Sequence, residues 1–329
     1  MKSALTSRYH SCTSNASCTL NRRAWLRITG AAALGFPLIA SAAPDLRARA
    51  RKNLKLGVFT GVYASLPLEE AARRIAADGF QCVVLQYAFA DVQFDPSAPD
   101  WDKARRITRT LAKHDLKVAG LFGYYNVVDP DPAKRRRGEQ RMQVLIENWK
   151  QFGCPIISTE TGTFNDKSEW LDSPENATEN GYQACRAALA KLTKAAKKTG
   201  AVISIETYWR NVIDSIARAE RVLRDVRGLK LVMDPCNFYR KEDLSRMDPM
   251  LEEMFRLLGK QIVLAHAKDV KAAADGTDLP ASGKGVLDYP LYLRLLAGLN
   301  RELPLVIEHL TLEDVPRARD YVLSQFEKI

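Results

Sequence analysis

Short apolar runs alternate with longer amphipathic segments from residue 54 to the end of the chain. Runs rich in β-branched residues predict strands, and apolar residues at every third or fourth position predict helices. The predicted strands are residues 56–60, 82–87, 117–122, 156–160, 202–207, 229–234, 262–268 and 305–310. The predicted helices are residues 68–77, 101–114, 134–152, 181–199, 212–226, 249–258, 289–299 and 312–326.

This alternation predicts the fold class. The strand runs contain few alternating polar residues, which indicates strands buried on both faces. Strict alternation with helices indicates parallel strands joined by right-handed crossovers. Eight such units in about 275 residues fit one α/β domain, a (β/α)₈ TIM barrel. An open doubly wound sheet is the alternative, but no G-x-G-x-x-G segment opens a helix after the first strand.

The first 42 residues differ from the rest, because they contain five basic residues and no acidic residue. Arg22 and Arg23 precede an apolar run of small residues, and an Ala-Ser-Ala step ends at Ala42. This arrangement resembles a twin-arginine signal, cleaved near Ala42, which would make the export machinery a partner and the mature protein periplasmic. The run is too short to span a bilayer comfortably, so we expect no stable membrane anchor. The predicted organisation is a signal peptide over 1–42, a basic linker over 43–53 and the barrel over 54–329.

The charge balance changes when the signal is considered separately. The chain has 49 basic and 39 acidic residues, a net charge of +10, which would favour a nucleic-acid partner. Half of this surplus lies in residues 1–42 and would leave with the signal. The mature chain is then nearly balanced, and we expect no nucleic-acid partner.

Four consecutive predicted strands end in polar side chains that can bind a metal. Glu206, Asp234, His266 and Glu308 follow the apolar parts of the fifth to eighth strands. In a barrel, these strand ends form the active-site face. Carboxylates rarely enter such buried places unless they are paired or bound to a cation. Three carboxylates and one imidazole suit one divalent ion; Mn²⁺ is preferred, and Mg²⁺, Co²⁺ or Zn²⁺ would also fit.

These strand ends resemble those of the sugar phosphate isomerase/epimerase superfamily, the xylose isomerase-like TIM barrels. The resemblance covers roughly residues 54–326, including a G-x-G-x-x-D segment at 283–288. It implies that the four side chains named above bind one divalent metal and that Glu206 and Glu308 are the catalytic acid/base pair. The implied activity is sugar isomerisation or epimerisation, in which a proton next to a carbonyl is removed to give an enediolate. The implied substrate is a small sugar or keto-polyol.

Two positions depart from the ketose epimerase pattern. Asn237 stands where those enzymes commonly have a substrate-binding histidine, and an asparagine cannot act as an acid. The seventh strand ends in His266-Ala267-Lys268-Asp269, which is closer to the dehydratase-like branches. Lys268 should face the same side as His266 and bind a substrate oxygen, or else pair with Asp269. A keto-sugar or inosose-type dehydratase or lyase on the same metal site is therefore the main alternative.

Three further residues are candidates near the strand ends. Glu160 ends the fourth strand and is a third acid/base or a substrate hydroxyl acceptor, or else a partner of other site residues. Trp209 belongs to an aromatic group that either walls a sugar site or packs in the core. His309 follows Glu308 and should point toward the helix layer, because alternate residues of a strand face opposite sides.

Two other classes of function are weaker alternatives. A non-catalytic sugar-binding barrel would not require the acid/base pair. An AP endonuclease-like nuclease has a histidine-rich trinuclear zinc site, whereas the mature chain has three histidines, His114, His266 and His309. A homo-oligomer is compatible with the sequence.

Overall fold

The computed structural model describes residues 46–329. The predicted export signal, its cleavage site near Ala42 and the first residues of the predicted linker lie outside this range. Within residues 46–329, no helix combines the length and apolar character needed to cross a membrane.

Eight parallel strands close into a barrel and follow one another around it in sequence order. They are β1 (Leu54–Phe59), β2 (Cys82–Leu85), β3 (Lys117–Phe122), β4 (Ile156–Glu160), β5 (Val202–Glu206), β6 (Lys230–Met233), β7 (Ile262–Ala267) and β8 (Leu303–Ile307). The barrel closes where β8 pairs with β1, with Leu303 opposite Leu54. The predicted single-domain TIM barrel is confirmed.

Helices surround the barrel near the predicted positions. They are α1 (Leu46–Asn53), α2 (Leu68–Ala77), α3 (Trp101–Lys113), α4 (Pro132–Asn148), α5 (Glu179–Thr199), α6 (Ile216–Asp225), α7 (Met247–Leu258), α8 (Tyr289–Gly298) and α9 (Val315–Gln325). Side-chain caps begin several of them, for example Asp100 at α3, Thr178 at α5 and Asp288 at α8. Gly200 ends α5 with a φ of 82°, a left-handed conformation that favours glycine.

Residues 46–53, which we expected as part of a linker, form helix α1. Its Ala50 is buried, and the helix packs against α8. Arg47 donates a hydrogen bond to the carbonyl oxygen of Ile329 (3.2 Å), and Arg51 pairs with Glu327 near the chain end. These basic residues therefore attach the segment to the C-terminal part of the barrel.

The side chains that face the inside of the barrel determine where the candidate site lies. Five apolar side chains from five strands form a small core separate from the larger core under the helices: Phe59, Val84, Val232, Leu264 and Val306. Alternate residues of a strand share a face. Asp234, His266 and Glu308 each stand two positions after one of these core residues, so they face the interior one layer higher. Glu160 and Glu206 follow Ser158 and Ser204 in the same way, and those two hydroxyls lie 3.0 Å apart.

Candidate active site

The four predicted metal ligands meet at the C-terminal end of the barrel. Glu206, Asp234, His266 and Glu308 each offer one ligand atom, and these atoms all lie within 4.8 Å of one another. His266 Nδ1 is 3.1 Å from Glu206 Oε1, 3.5 Å from Glu308 Oε2 and 3.8 Å from Asp234 Oδ2. Four neighbouring strands thus bring three carboxylates and one imidazole to a single point.

Lys268 belongs to the same cluster. Its Nζ lies 2.6 Å from Asp234 Oδ2, 2.7 Å from Glu308 Oε1 and 4.0 Å from Glu206 Oε1, and the side chain is 3% exposed. Of the two roles considered for Lys268, pairing with Asp269 is not observed. Asp269 instead accepts hydrogen bonds from the backbone N–H groups of Val270, Gly283 and Leu287, each at 2.9 Å.

These three bonds explain the G-x-G-x-x-D segment after β7. Asp269 ties the start of the loop to Gly283 and Leu287, and Asp288 then begins helix α8 by accepting a bond from the Leu291 N–H. Gly285 passes so close to Val270 that a Cβ atom would lie 2.3 Å from its carbonyl oxygen. The segment therefore folds the loop compactly beside the site.

Helix α8 also positions strand β7 from behind. The Tyr292 hydroxyl donates to the carbonyl oxygen of His266 (2.9 Å), and the Tyr289 hydroxyl donates to that of Lys268 (2.9 Å). Both tyrosines are fully buried. The backbone that carries His266 and Lys268 is thus held in place by side-chain hydrogen bonds.

Glu206 is held by donors on both carboxylate oxygens. The Tyr124 hydroxyl donates to Oε2, and Asn237 Nδ2 donates to Oε1 at 2.8 Å. Asn237, expected to contact substrate, lies on the cavity wall but is already bonded to Glu206. Tyr124 belongs to the same predicted aromatic group as Trp209 and does line the cavity, but nothing in its local sequence indicates its hydrogen bond to Glu206 on another strand.

The charged groups of the cluster shift one another's pKa values. Burial alone would lower the pKa of Lys268, but Asp234, Glu308 and Glu206 outweigh it and raise that pKa well above its usual value. Burial alone would raise the pKa of Asp234, but Lys268 and His266 outweigh burial and lower it. For Glu308 burial prevails over Lys268 and His266, and its pKa is raised. The cluster therefore makes Asp234 the stronger acid and Glu308 the weaker acid of these two carboxyls.

The cluster fits a divalent cation. Asp234 Oδ2 and Glu308 Oε1 are buried, and the Lys268 ammonium lies 2.6 Å from the first and 2.7 Å from the second, so one cation is shared between two carboxylates. Three carboxylates and one lysine leave a formal charge of about −2 when His266 is neutral. A divalent ion balances this charge, and the oxygen-rich set with one imidazole suits Mn²⁺, Mg²⁺ or Co²⁺, with Zn²⁺ also compatible.

A cavity of about 570 Å³ opens above the cluster. Glu206, Glu308, Lys268, Asn237 and Glu160 all line it. Burial, followed by the negative charges of Glu206 and Glu169, raises the pKa of Glu160 to about 8. No hydrogen bond from residues 46–329 reaches this carboxyl, and in the metal-free protein the raised pKa favours the protonated form of Glu160 at neutral pH.

Trp209 lies outside the cavity lining, unlike its neighbour Tyr208. The indole ring of Trp209 lies near the guanidinium groups of Arg210 (4.4 Å) and Arg240 (5.4 Å) instead. The tryptophan on the cavity wall is Trp170, from the loop between β4 and α5. The sequence places Trp209, like Tyr208, close to the end of a predicted strand, but it does not show which of the two side chains faces the cavity.

The expected orientation of His309 toward the helix layer is wrong, because His309 lines the cavity. Its φ of 57° is left-handed, so strand alternation ends at Glu308 and the side chain turns back to the site. Nδ1 lies 2.6 Å from the carbonyl oxygen of Leu279, which requires Nδ1 to carry the proton. Nε2 then lies 4.0 Å from Glu308 Oε1.

Similar solved structures share this fold. A xylose isomerase-like TIM barrel protein from Mycobacterium smegmatis, solved with magnesium, is 17% identical with a TM-score of 0.61, over 85% of this chain and 98% of that one. The 3-keto-D-glucoside 4-epimerase from E. coli is 18% identical with a TM-score of 0.61, over 84% and 100%. The probable 3-DHS dehydratase of petrobactin synthesis from Bacillus anthracis is 13% identical with a TM-score of 0.62, over 83% and 97%.

Comparison with curated protein sequences gives no match. The family profile described as "Xylose isomerase-like TIM barrel" matches residues 31–323, which is most of the sequence. The profile match and the eight-stranded barrel agree. The chain therefore belongs to the xylose isomerase-like TIM barrel family.

Proposed function

We propose that this protein is a divalent-metal-dependent isomerase or epimerase of a small sugar or keto-polyol. The observation that carries the proposal is the meeting of Glu206 and Glu308 with Asp234, His266 and Lys268 on one cavity. Such a set can hold a cation and move protons next to it. The epimerase fold neighbour acts on a keto-glucoside by its name, which supports this class of substrate.

The residues divide the chemistry between them. A divalent cation held by Glu206, Asp234, His266 and Glu308 would supply positive charge beside a substrate carbonyl, which acidifies the neighbouring C–H group. Glu308 is the better placed base, because it lines the cavity and its pKa is raised, which makes its carboxylate the stronger base. As it takes the proton, the C–H electron pair moves toward the carbonyl oxygen and an enediolate forms.

Glu206 acts on the face of the reacting carbon opposite to Glu308. Tyr124 and Asn237 fix the orientation of its carboxyl, so in its protonated form Glu206 can donate its proton to the opposite face of the same carbon. Glu206 then regains a proton from solvent, and Glu308 releases to solvent the one it took. Lys268 carries a buried positive charge within reach of the developing oxyanion and stabilises it. Return of the proton to the same carbon is epimerisation, and return to the adjacent carbon is isomerisation.

Dehydration of a keto-sugar is the second candidate, and Glu160 favours it. A carboxyl whose pKa is raised by burial can act as the acid that protonates a departing hydroxyl after Glu308 has removed the neighbouring proton. The dehydratase fold neighbour supports this reaction class. Glu160 serves an epimerase differently, as a hydrogen-bond donor to a substrate hydroxyl.

The reaction is tested by incubating the metal-loaded protein with keto-sugars in D₂O. Deuterium on the carbon next to the carbonyl, without loss of water, supports the isomerase or epimerase. Loss of water supports the dehydratase. The matched variants are Glu308→Gln, which should abolish exchange, and Glu252→Gln on the outer surface of α7, which should not. No exchange with any sugar would overturn the proposal in favour of a binding protein.

We further propose that the twin-arginine machinery exports the protein to the periplasm. The support is the sequence alone, with Arg22-Arg23 before an apolar run and an Ala-Ser-Ala step ending at Ala42. Cell fractionation with N-terminal sequencing should find a periplasmic chain that begins near residue 43. Replacing both arginines by lysine should keep the protein in the cytoplasm, and unchanged export would refute the assignment.

A further inference from the structure

We propose that the cavity contains an outer subsite, walled by Trp170 and Tyr208, that binds a second sugar ring of a glycoside or disaccharide. The proposal rests on the proposed function for the inner part of the cavity, where the reacting ring lies beside Glu206 and Glu308. It adds a substrate class, since the enzyme would act on a keto-sugar that carries a glycosidic substituent.

The first observation is the size of the cavity. A hexose has about 12 non-hydrogen atoms, and at about 30 Å³ for each, the volume of a water molecule, it fills at most about 360 Å³. The cavity of about 570 Å³ therefore leaves roughly 200 Å³ beyond one ring. That remainder is enough for a substantial part of a second ring.

The second observation is the aromatic wall at the mouth. Trp170 is 56% exposed although it lines the cavity. Its ring centroid lies 6.4 Å from that of Tyr208, in an edge-to-face arrangement. An indole left exposed to water at a cavity wall offers a flat apolar face to the C–H groups of a pyranose ring, and covering it removes that face from water.

The third observation is a continuous wall between the inner and outer parts of the cavity. Glu169, next to Trp170, also lines the cavity and lies close enough to Glu160 for its charge to raise the pKa of that carboxyl. Glu160 ends strand β4, and residues 169 and 170 belong to the loop that follows it. The cavity wall therefore runs from Glu160 to Trp170. Glu169 offers a carboxylate acceptor for hydroxyls of the outer ring.

The test is sugar binding to the Mn²⁺-loaded protein, with D-glucose, maltose and cellobiose as probes. Tryptophan fluorescence gives the affinities, and saturation-transfer NMR shows which ring contacts the protein. We expect at least one disaccharide to bind about tenfold more tightly than glucose. Trp170→Ala should remove this preference, Trp170→Phe should retain part of it, and Leu323→Ala on the exposed face of α9 should leave it unchanged.

The outcomes separate the subsite from the reaction. Equal affinity for all three sugars, or a preference that survives Trp170→Ala, would overturn the outer subsite even if deuterium exchange continues with keto-monosaccharides. A disaccharide preference that depends on Trp170, without exchange on any keto-sugar, would support the subsite and overturn the proposed function. Circular dichroism of each variant distinguishes lost binding from lost folding.

Discussion

Replacing Glu160 with glutamine should stabilise the metal-free protein at alkaline pH. The Glu160 carboxyl lies on the cavity wall without a hydrogen bond from residues 46–329, directly opposite Glu206 in the register of β4 and β5. Burial and the charges of Glu206 and Glu169 raise its pKa from 4.5 to about 8. Glutamine keeps the shape of the side chain and removes the charge that this environment opposes.

The magnitude follows from the pKa difference. Each pKa unit corresponds to about 1.4 kcal/mol, so a shift of about 3.5 units gives an upper bound near 5 kcal/mol. Because the carboxyl faces an open cavity, solvent screening reduces the expected gain to roughly 2–3 kcal/mol. Between about pH 4.5 and 8 the folded state keeps a proton that the unfolded state has released, so wild-type stability falls as the pH rises. The full penalty is present above about pH 8.

The assay is urea unfolding of wild type and Glu160→Gln between about pH 5 and 9, in the presence of EDTA. The chelator matters, because a nearby cation would favour the carboxylate and hide the effect. Glu252→Gln, at an exposed position of α7, is the matched control and should follow wild type at every pH. A difference between wild type and Glu160→Gln that stays constant over the whole range would refute the reasoning.

Three further changes test the site. Glu308→Gln should reduce deuterium exchange by about a thousandfold or more while circular dichroism stays unchanged, and retained exchange would sink the acid/base role. His309→Gly keeps the left-handed backbone but removes the ring, so it should lower kcat/KM about tenfold. His309→Asn should have a smaller effect. Equal activity of wild type and both variants would show that the ring has no role. Asp269→Ala leaves three backbone N–H groups without their acceptor and should cost about 3 kcal/mol in urea unfolding, and a loss below about 1 kcal/mol would contradict the bracing role.

The barrel and its inner polar layer could be predicted because both depend on local patterns. A strand buried on both faces needs a nearly continuous apolar run, and each run ends where a polar side chain first appears. Asp234 and Glu308 could therefore be assigned to the strand ends from sequence alone. The position of Lys268 could be predicted because it stands two residues after His266, and it does face the same cavity.

The remaining site features depend on backbone turns and on contacts between distant strands. His309 lines the cavity because its left-handed φ ends the alternation, and sequence gave no signal for that turn. The hydrogen bond from Tyr124 to Glu206 joins β3 to β5, and those of Tyr289 and Tyr292 join α8 to β7. Such partners become visible only when the elements are packed.

Short elements around the barrel were also missed. Two antiparallel hairpins, Ala88–Phe89 with Val92–Gln93 and Lys271–Ala273 with Gly276–Asp278, follow β2 and β7. Each strand has only two or three residues, too few to show an alternating pattern. The four basic residues of helix α1 favour a linker in the sequence, because the partners of Arg47 and Arg51 lie at the other end of the chain, at Glu327 and Ile329.

The metal content of the purified protein tests the central claim most directly. Elemental analysis of wild type, after loading with Mn²⁺ and removal of free metal, should find about one divalent ion per chain. Asp234→Asn, with circular dichroism matching wild type, should retain less than about a tenth of that amount. A wild-type protein that stays free of Mn²⁺, Mg²⁺, Co²⁺ and Zn²⁺, yet still exchanges deuterium into a keto-sugar, would contradict the account.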